Sequence, residues 1–542
     1  MAEAQTTETP PPAPTTDRIA QAAGLAAAAT LTSRILGLVR EQVLAALFGA
    51  GDQMDAYFVA FRIPNLVRDL FAEGAMSAAF VPTFTRHLTL HGKQDAWRLG
   101  NNVLNALLLV TGAAVAMGMF FARPLVSIYA HSFAAVPGKL ELTTQLARVM
   151  MPFLTLAAIA AALMGMLNSL RHYFLPALAP ATFNVVAIAF ALLLTPVMPA
   201  FGLPRIMAVA IAVTVGGLTQ IGLQWPLLYR EGFRYRPVLD VTDPGLRQVL
   251  LLMGPGTVGL AATQLNLFIS TLLAANEGTG AVSWLQYAFR IMYLPLGLFG
   301  VSIATAVLPA AARHAAVKDT AAMRDTVRRG LSLMLFVNIP AACGLVLLST
   351  EIVRVLFERG HFTPADTTAT AAALRLYAVG LVGYSTTRIA SPVFYALGRS
   401  RVPVALSMVS VTVNFALSLL LVRVLGFTGL AISTSIAALV NASLCIALLR
   451  AHLNGIGGRA LTAALWKVLL ASAAMIAAIF LTRVALSSDA THLGTFRQVG
   501  SLLTMIGIGV AVLMGSAHLL RIDELDMVMS AVRRKLPSLV RL

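Results

Sequence analysis

The chain has little charge. Only 12% of its 542 residues are Asp, Glu, Lys or Arg, where soluble domains carry about 25%. Mean hydropathy is +0.80, which excludes a soluble globular chain before any motif is read. Cysteine is nearly missing too. Cys343 and Cys445 both sit in apolar helical runs, which argues against a disulfide framework, a CxxC redox pair and a zinc site. The short alternating segments that build outer-membrane barrels do not occur. Nor does a Walker A sequence, an HExxH or a GxSxG, and the nine histidines lie mainly near helix ends without metal spacing. ATP hydrolysis and metal chemistry are therefore not expected. No cofactor is called for, and any work must draw on a coupling ion or the membrane potential.

What is present is a succession of apolar runs of about 20 residues, the length that spans a bilayer as a helix. They fall at 19–48, 54–86, 97–121, 142–170, 178–198, 205–229, 246–275, 282–312, 325–349, 366–396, 402–423, 427–451, 462–485 and 496–520. The fold class is all-α and polytopic, with about fourteen transmembrane helices. Residues 1–17, "MAEAQTTETPPPAPTTD", read as a disordered tail without the basic n-region of a signal peptide. Residues 521–542 form a basic tail. "GPGTVG" at 254–259 matches GxGxxG by letter only, since it lies inside an apolar helix with no strand before it. Gly254 and Pro255 are better read as a hinge. "TEIVRVLFERGHFTPAD" is amphipathic and suggests a short interfacial helix.

Net charge is +17, and its distribution orients the spans. Alternate connections collect the basic residues, among them "TRHLTLHGKQDAWR", "YREGFRYR" and "ARHAAVKDTAAMRDTVRR", while those between them ("GAGDQMD", "ANEGTG") are poor in them. The positive-inside rule then places both termini in the cytoplasm. No nucleic-acid module accompanies the charge, which could also attract anionic lipid headgroups.

The sequence repeats itself. "AFRIPNLVRDLFAEGAMSAAFVPTFTRH" in the second span parallels "AFRIMYLPLGLFGVSIATAVLPAAARH" in the eighth, Arg148 falls opposite Arg375, and Asn184 opposite Asn414. A shift of about 228 residues relates each helix to the sixth one after it. Six is even, so the halves share one orientation, as in transporters built from parallel repeats. The halves are residues 18–230 and 246–453, with helices 13 and 14 (460–520) outside the duplication.

Charge also sits deep in the apolar runs. "LTSRILGLVREQVLAALFG" (31–49) carries Arg34, Arg40 and Glu41 around Gly37, and Arg34 lies about 22 Å along a helix that begins near Ile19. A guanidinium at that depth costs about 3 kcal/mol on insertion scales. The second span adds Asp55, Arg62, Arg68, Asp69 and Glu73 around Pro64, and the eighth adds Arg290. One reading is internal ion pairing, Arg34–Glu41 or Arg62–Asp69. The other is a hydrated cavity whose surplus guanidiniums bind an anion, most economically a phosphate group.

"SRILGLVRE…FGAGDQMDAYFVAFRIPNLVRDLFAEGAMSAAFVP", "MLNSLRHYFLPALAPATFN" and "LFERGHFT" resemble the MurJ/MviN family of lipid II flippases, within the multidrug/oligosaccharidyl-lipid/polysaccharide exporter superfamily. The resemblance covers residues 18–520. It implies two lobes around a cavity, a lipid-tail groove formed by helices 13 and 14, and a substrate pyrophosphate held by cationic residues. By motif position the family's important residues fall on Arg34, Arg40, Asp55, Arg68 and Arg290, with Arg62 at a basic position; Glu73 belongs to the same charged stripe. Glu41 stands where aspartate is common, Asp69 where some relatives have arginine, and Phe289 where some have aspartate. Some relatives bind sodium in the carboxyl-terminal lobe, but spans seven, eleven and twelve here hold no acidic ligand set. The resemblance implies a monomeric inner-membrane transporter, not an enzyme, with lipid II, membrane lipids and cell-wall synthesis proteins as partners. Two alternatives stay open: export of another polyprenyl-linked saccharide or of drugs, and a non-transporting cell-wall scaffold.

Overall fold

The computed structural model describes residues 16–69, 76–297, 301–486, 494–527 and 529–530. In chain order the helices are α1 (Thr16–Phe48), α2 (Asp52–Arg68), α3 (Met76–Leu90), α4 (Gly92–Phe120), α5 (Ala122–Tyr129), α6 (Lys139–Met150), α7 (Phe153–Ser169), α8 (Phe174–Leu193), α9 (Met207–Arg230) and α10 (Pro244–Ala275). There follow α11 (Ala281–Pro295), α12 (Val301–Ala316), α13 (Thr320–Leu347), α14 (Ser349–Phe357), α15 (Pro364–Ala396), α16 (Arg401–Leu425), α17 (Phe427–His452), α18 (Gly458–Leu486) and α19 (Thr495–Leu519). Helix is the form that satisfies every backbone group within its own segment, which a lipid environment demands.

Among the described residues, nine helices are long and apolar enough to cross a membrane, counting α6 and α7 as one. The remaining spans of the fourteen fall on helices that are less apolar or only partly described. They are α1, α10 and α15, together with the α2–α3 and α11–α12 pairs. The chain is a multi-pass membrane protein. Its lipid-type surface is plain in the exposed Leu108, Leu109 and Val110 of α4, Leu420 and Val424 of α16, and Leu481 of α18.

The repeat is built into the helix boundaries. A shift of 227 or 228 residues carries α1 onto α10, α4 onto α13 and the short α5 onto the short α14. The described parts of the second span of each half, α2 and α3 in one and α11 and α12 in the other, are helical. Helix α14 is the amphipathic helix expected from "TEIVRVLFERGHFTPAD"; its counterpart α5 was not anticipated.

Helix ends follow local chemistry. Thr363 and Asp366 form a reciprocal capping box ahead of α15, with Pro364 in its first turn. Asp319 caps α13 by accepting from the Ala322 amide. Both cysteines are free thiols among apolar side chains, Cys445 inside the core.

The described parts of the chain form two compact units. One comprises 1–43, 63–121 and 146–257, the other 44–62, 122–145 and 258–542. The first unit packs Phe80, Phe84, Trp97, Met166 and Phe233 into one cluster. In the second, Val327, Ile389, Phe394 and Leu449 pack around Cys445. There α15 and α17 meet at bare glycine: a Cβ on Gly383 would lie 2.6 Å from the Ala438 backbone carbon. Such close approach is how small residues hold membrane helices together. Gly383→Val is expected to lower stability by about 1–3 kcal/mol, read as an earlier thermal transition in detergent; an unchanged transition would show that the helices can part at no cost.

Candidate functional site

In the first unit the deep charges are assembled from α1 and α8. Arg40 and Glu41 are buried, at 9% and 3% exposure. Arg40 donates through Nη2 to Glu41 Oε1 at 2.6 Å and through Nη1 to Asn184 Oδ1 at 3.1 Å. Its guanidinium lies 5.5 Å from the Phe183 ring centroid. Asn184 turns its own amide nitrogen to the Ser33 and Pro180 carbonyls, and Gly37 faces the Asn184 side chain, so a Cβ there would make ordinary contact at 3.6 Å. Asn184 thus fixes one edge of the arginine and ties α8 to α1.

The internal pairing expected from sequence takes a different form. Glu41 is held by its neighbour Arg40, not by Arg34 one helical face along. Asp69 is held by Arg68, at 2.6 Å from Nη2 and 3.1 Å from Nε, with Asn65 on its other oxygen at 3.3 Å. Arg68 also lies over the Phe153 ring. Arg34, half-buried one turn and a half before this group, makes no hydrogen bond or ion pair to a described residue. Arg40 and Arg68 are therefore bound to carboxylates, while Arg34 has no such partner among the described residues.

In the second unit Arg62 donates to Gln264 of α10 at 3.3 Å, and Arg290 stands exposed on α11. Asp55 has a different setting. It is fully enclosed, at 0% exposure, and accepts from the Gly280 amide (2.7 Å), the Ser283 amide (3.0 Å), the Ser283 hydroxyl (2.7 Å) and Lys139 Nζ (3.1 Å). Gly280 is the N-cap of α11, with φ +93°, and a Cβ there would meet the Ala50 carbonyl oxygen at 2.7 Å. Asp55 therefore caps α11 from α2, where a carboxylate is best placed on a helix dipole. Lys139, with 2% of its side chain exposed, also pairs with Asp52 at 2.7 Å and sits over the Phe133 ring. Asp55 was expected among the substrate contacts. Its partner Lys139 was not anticipated.

Of the residues read as bending points, Gly37 lies in α1 and Pro64 in α2. One division between the units follows Arg62, next to the buried Pro64. Another follows Thr257, just beyond Gly254–Pro255 in α10, whose side chains lie outside the description. Glu73 also lies outside the described residues.

The asparagine that matches Asn184 in the repeat does equivalent work. Asn414 of α16 donates to Asn266 Oδ1 of α10 at 2.7 Å, with Ser270 nearby at 3.4 Å. Here the buried group is neutral throughout. Among the described residues no cluster of three or more His, Cys, Asp or Glu side chains could hold a metal ion.

A repeated helical membrane bundle with unmatched cationic charge at depth is the architecture of a transporter for an anionic solute. The family model "Lipid II flippase MurJ" matches residues 44–503. The chain is 32% identical over 503 residues to the "Probable lipid II flippase MurJ" of Rickettsia prowazekii (strain Madrid E), covering 92% of this chain and 97% of that one. A solved structure described as "Lipid II flippase MurJ, inward closed conformation" aligns with a TM-score of 0.77 at 26% identity, over 92% of this chain and 99% of the other. An inward-facing multidrug resistance MATE family transporter of the MOP superfamily shares the fold at 15% identity and a TM-score of 0.66, over 78% of this chain and 94% of that one. The chain belongs to the lipid II flippase MurJ family.

Proposed function

We propose that the chain moves lipid II, the undecaprenyl-pyrophosphate-linked peptidoglycan precursor, from the cytoplasmic to the periplasmic leaflet of the inner membrane by alternating access. It changes no covalent bond. The observation that carries the reading is the charge balance around α1: Arg40 is committed to Glu41 and Asn184, while Arg34 has no protein partner among the described residues. A guanidinium left in an apolar layer needs an anion, and a diphosphate offers oxygens that suit its planar fork. Arg40 and Arg68, in the same unit as Arg34, add to the cationic lining as the substrate enters, and the polyprenyl tail stays in lipid along α18 and α19.

Asp55 and Lys139 then act as the outer latch. They lie at the end of the helices that carries the charge-poor connections, which the positive-inside rule assigns to the periplasm, with both termini cytoplasmic. Opening outward requires the α2, α6 and α11 ends to separate, with Pro64 and Gly254–Pro255 absorbing the bend. One chain suffices for the cycle.

The drive is electrical. Whatever charge the empty carrier bears returns each cycle, so the net charge moved is that of the anionic lipid II headgroup. Carrying one negative charge outward across 100 mV, negative inside, releases about 2.3 kcal/mol. The neutral Asn414–Asn266–Ser270 group supports a cycle without a carboxylate-held cation. Proteoliposomes carrying the full chain and lipid II are expected to flip faster under an imposed inside-negative potential and to slow when an ionophore collapses it. Replacing sodium by choline is expected to change nothing. Transport that follows sodium and ignores the potential would overturn the electrical drive. Absence of flipping under every condition would overturn the function itself.

A further inference from the structure

The connection between α9 and α10 is an extended strap, residues 234–240, laid along α4. Three asparagines of α4 grip its backbone. Asn101 donates to the Arg234 carbonyl and accepts from the Arg236 amide, at 3.0 and 2.8 Å. Asn102 does the same with both backbone groups of Asp240, at 2.8 and 2.7 Å. Asn105 donates to the Arg236 and Val238 carbonyls, at 2.8 and 2.9 Å, and accepts from the Tyr235 hydroxyl at 2.7 Å. The side-chain amides replace a neighbouring strand, so the strap's backbone does not rely on water for these bonds.

Its side chains turn outward and are of two kinds. Tyr235, Val238, Leu239 and Val241 are exposed, Val238 at 55% and Val241 at 64%. Arg234, Arg236 and, in the first turn of α10, Arg247 are exposed beside them. Arg234 lies over the Tyr229 ring at 3.6 Å, and Trp225 stacks near Tyr235. Asp240, the acidic member of the strap, is occupied by Arg98 and Thr242. Asn105 stands one turn before the exposed Leu108–Val110 of α4, so the strap ends where that helix presents its apolar surface.

A loop in water does not hold out a row of large apolar side chains, and one buried in hydrocarbon does not expose arginines. Aromatic and aliphatic groups interleaved with arginine match the headgroup layer. We propose that the strap is a docking surface for anionic phospholipid headgroups, stitched to α4 by Asn101, Asn102 and Asn105 so that its side chains lie at the membrane interface. This goes beyond flipping. It rests on the chain's embedding in a bilayer, not on its substrate.

The test uses the full chain in nanodiscs, with Cys343 and Cys445 replaced by alanine and an environment-sensitive fluorophore on Val238→Cys. Brominated lipid is supplied at equal fraction either as phosphatidylglycerol or as phosphatidylcholine. Quenching by the anionic lipid is expected to exceed that by the zwitterionic lipid about fivefold, the attraction of one arginine at the surface. Arg236→Gln with Arg247→Gln should remove the preference while leaving quenching by phosphatidylcholine unchanged. Inorganic phosphate should not compete. No quenching by either lipid, equal quenching by both, or displacement by inorganic phosphate would each overturn the assignment. Lipid II flipping is read separately, so its failure would not imitate failure here.

Discussion

Asp55→Ala should be the most destabilising single change in the second unit. It strips α11 of its cap and leaves Lys139 buried with only the more exposed Asp52 as counter-ion. Breaking a buried pair by removing one partner costs about 3–5 kcal/mol, and losing a cap about 1 kcal/mol more. Asp55→Asn keeps the shape and an acceptor for the α11 amides and should fall between wild type and alanine. Lys139→Met paired with Asp55→Asn should be less damaging than the two separate losses predict, because the two groups share one interaction. Thermal unfolding in detergent measures all four proteins. If Asp55→Ala melts with the wild type, the latch holds nothing. The same loss has a functional side: a weakened outer latch favours the outward-open arrangement, so flipping should fall even in the variants that remain folded.

Most of the fold was legible because a bilayer imposes length. Helices α4, α9, α10, α13, α17 and α19 begin and end within a few residues of their apolar runs. The repeat was legible for a similar reason, since Phe-Arg-Ile and Pro-x-x-x-Arg-His recur in the second span of each half. Helix α5 was missed because eight residues of "ARPLVSIY" are too few to span a bilayer and follow directly on the run that ends at 121.

Within the site, position was easier to read than partnership. Adjacent residues on a helix point about 100° apart and are not expected to meet, yet Arg40 is long enough to turn back on Glu41 once Asn184 and Phe183 hold its other side. Those two residues are more than 140 positions away, and Asn184 was marked only by its match to Asn414. Lys139 lies 84 residues from Asp55, at the start of a helix that carries no other sign of function. Such pairings depend on which helices pack together, which hydropathy does not encode.

Arg34 and Arg40 should separate cleanly when each is replaced by alanine. Arg40→Ala leaves Glu41 as a buried carboxylate without its guanidinium, and removes one of the two bonds that tie α1 to Asn184. A stability loss of about 3–5 kcal/mol is expected, with flipping lost in consequence. Glu41→Gln on its own should also destabilise, since Arg40 loses its carboxylate partner. Arg34→Ala removes a charge that no described side chain neutralises, so stability should hold or rise, as it does when an uncompensated ion leaves an apolar setting. Flipping should nonetheless collapse, because the diphosphate loses its strongest free counter-charge. Arg34→Lys should restore part of it, a point charge without the bidentate fork. The decisive comparison is thermal stability against lipid II accessibility in a flippase-depleted strain, with expression in the membrane matched. Were Arg34→Ala to destabilise the protein as much as Arg40→Ala, Arg34 would be a structural cation with a partner of its own. Were it to support full flipping, the diphosphate would have to bind elsewhere.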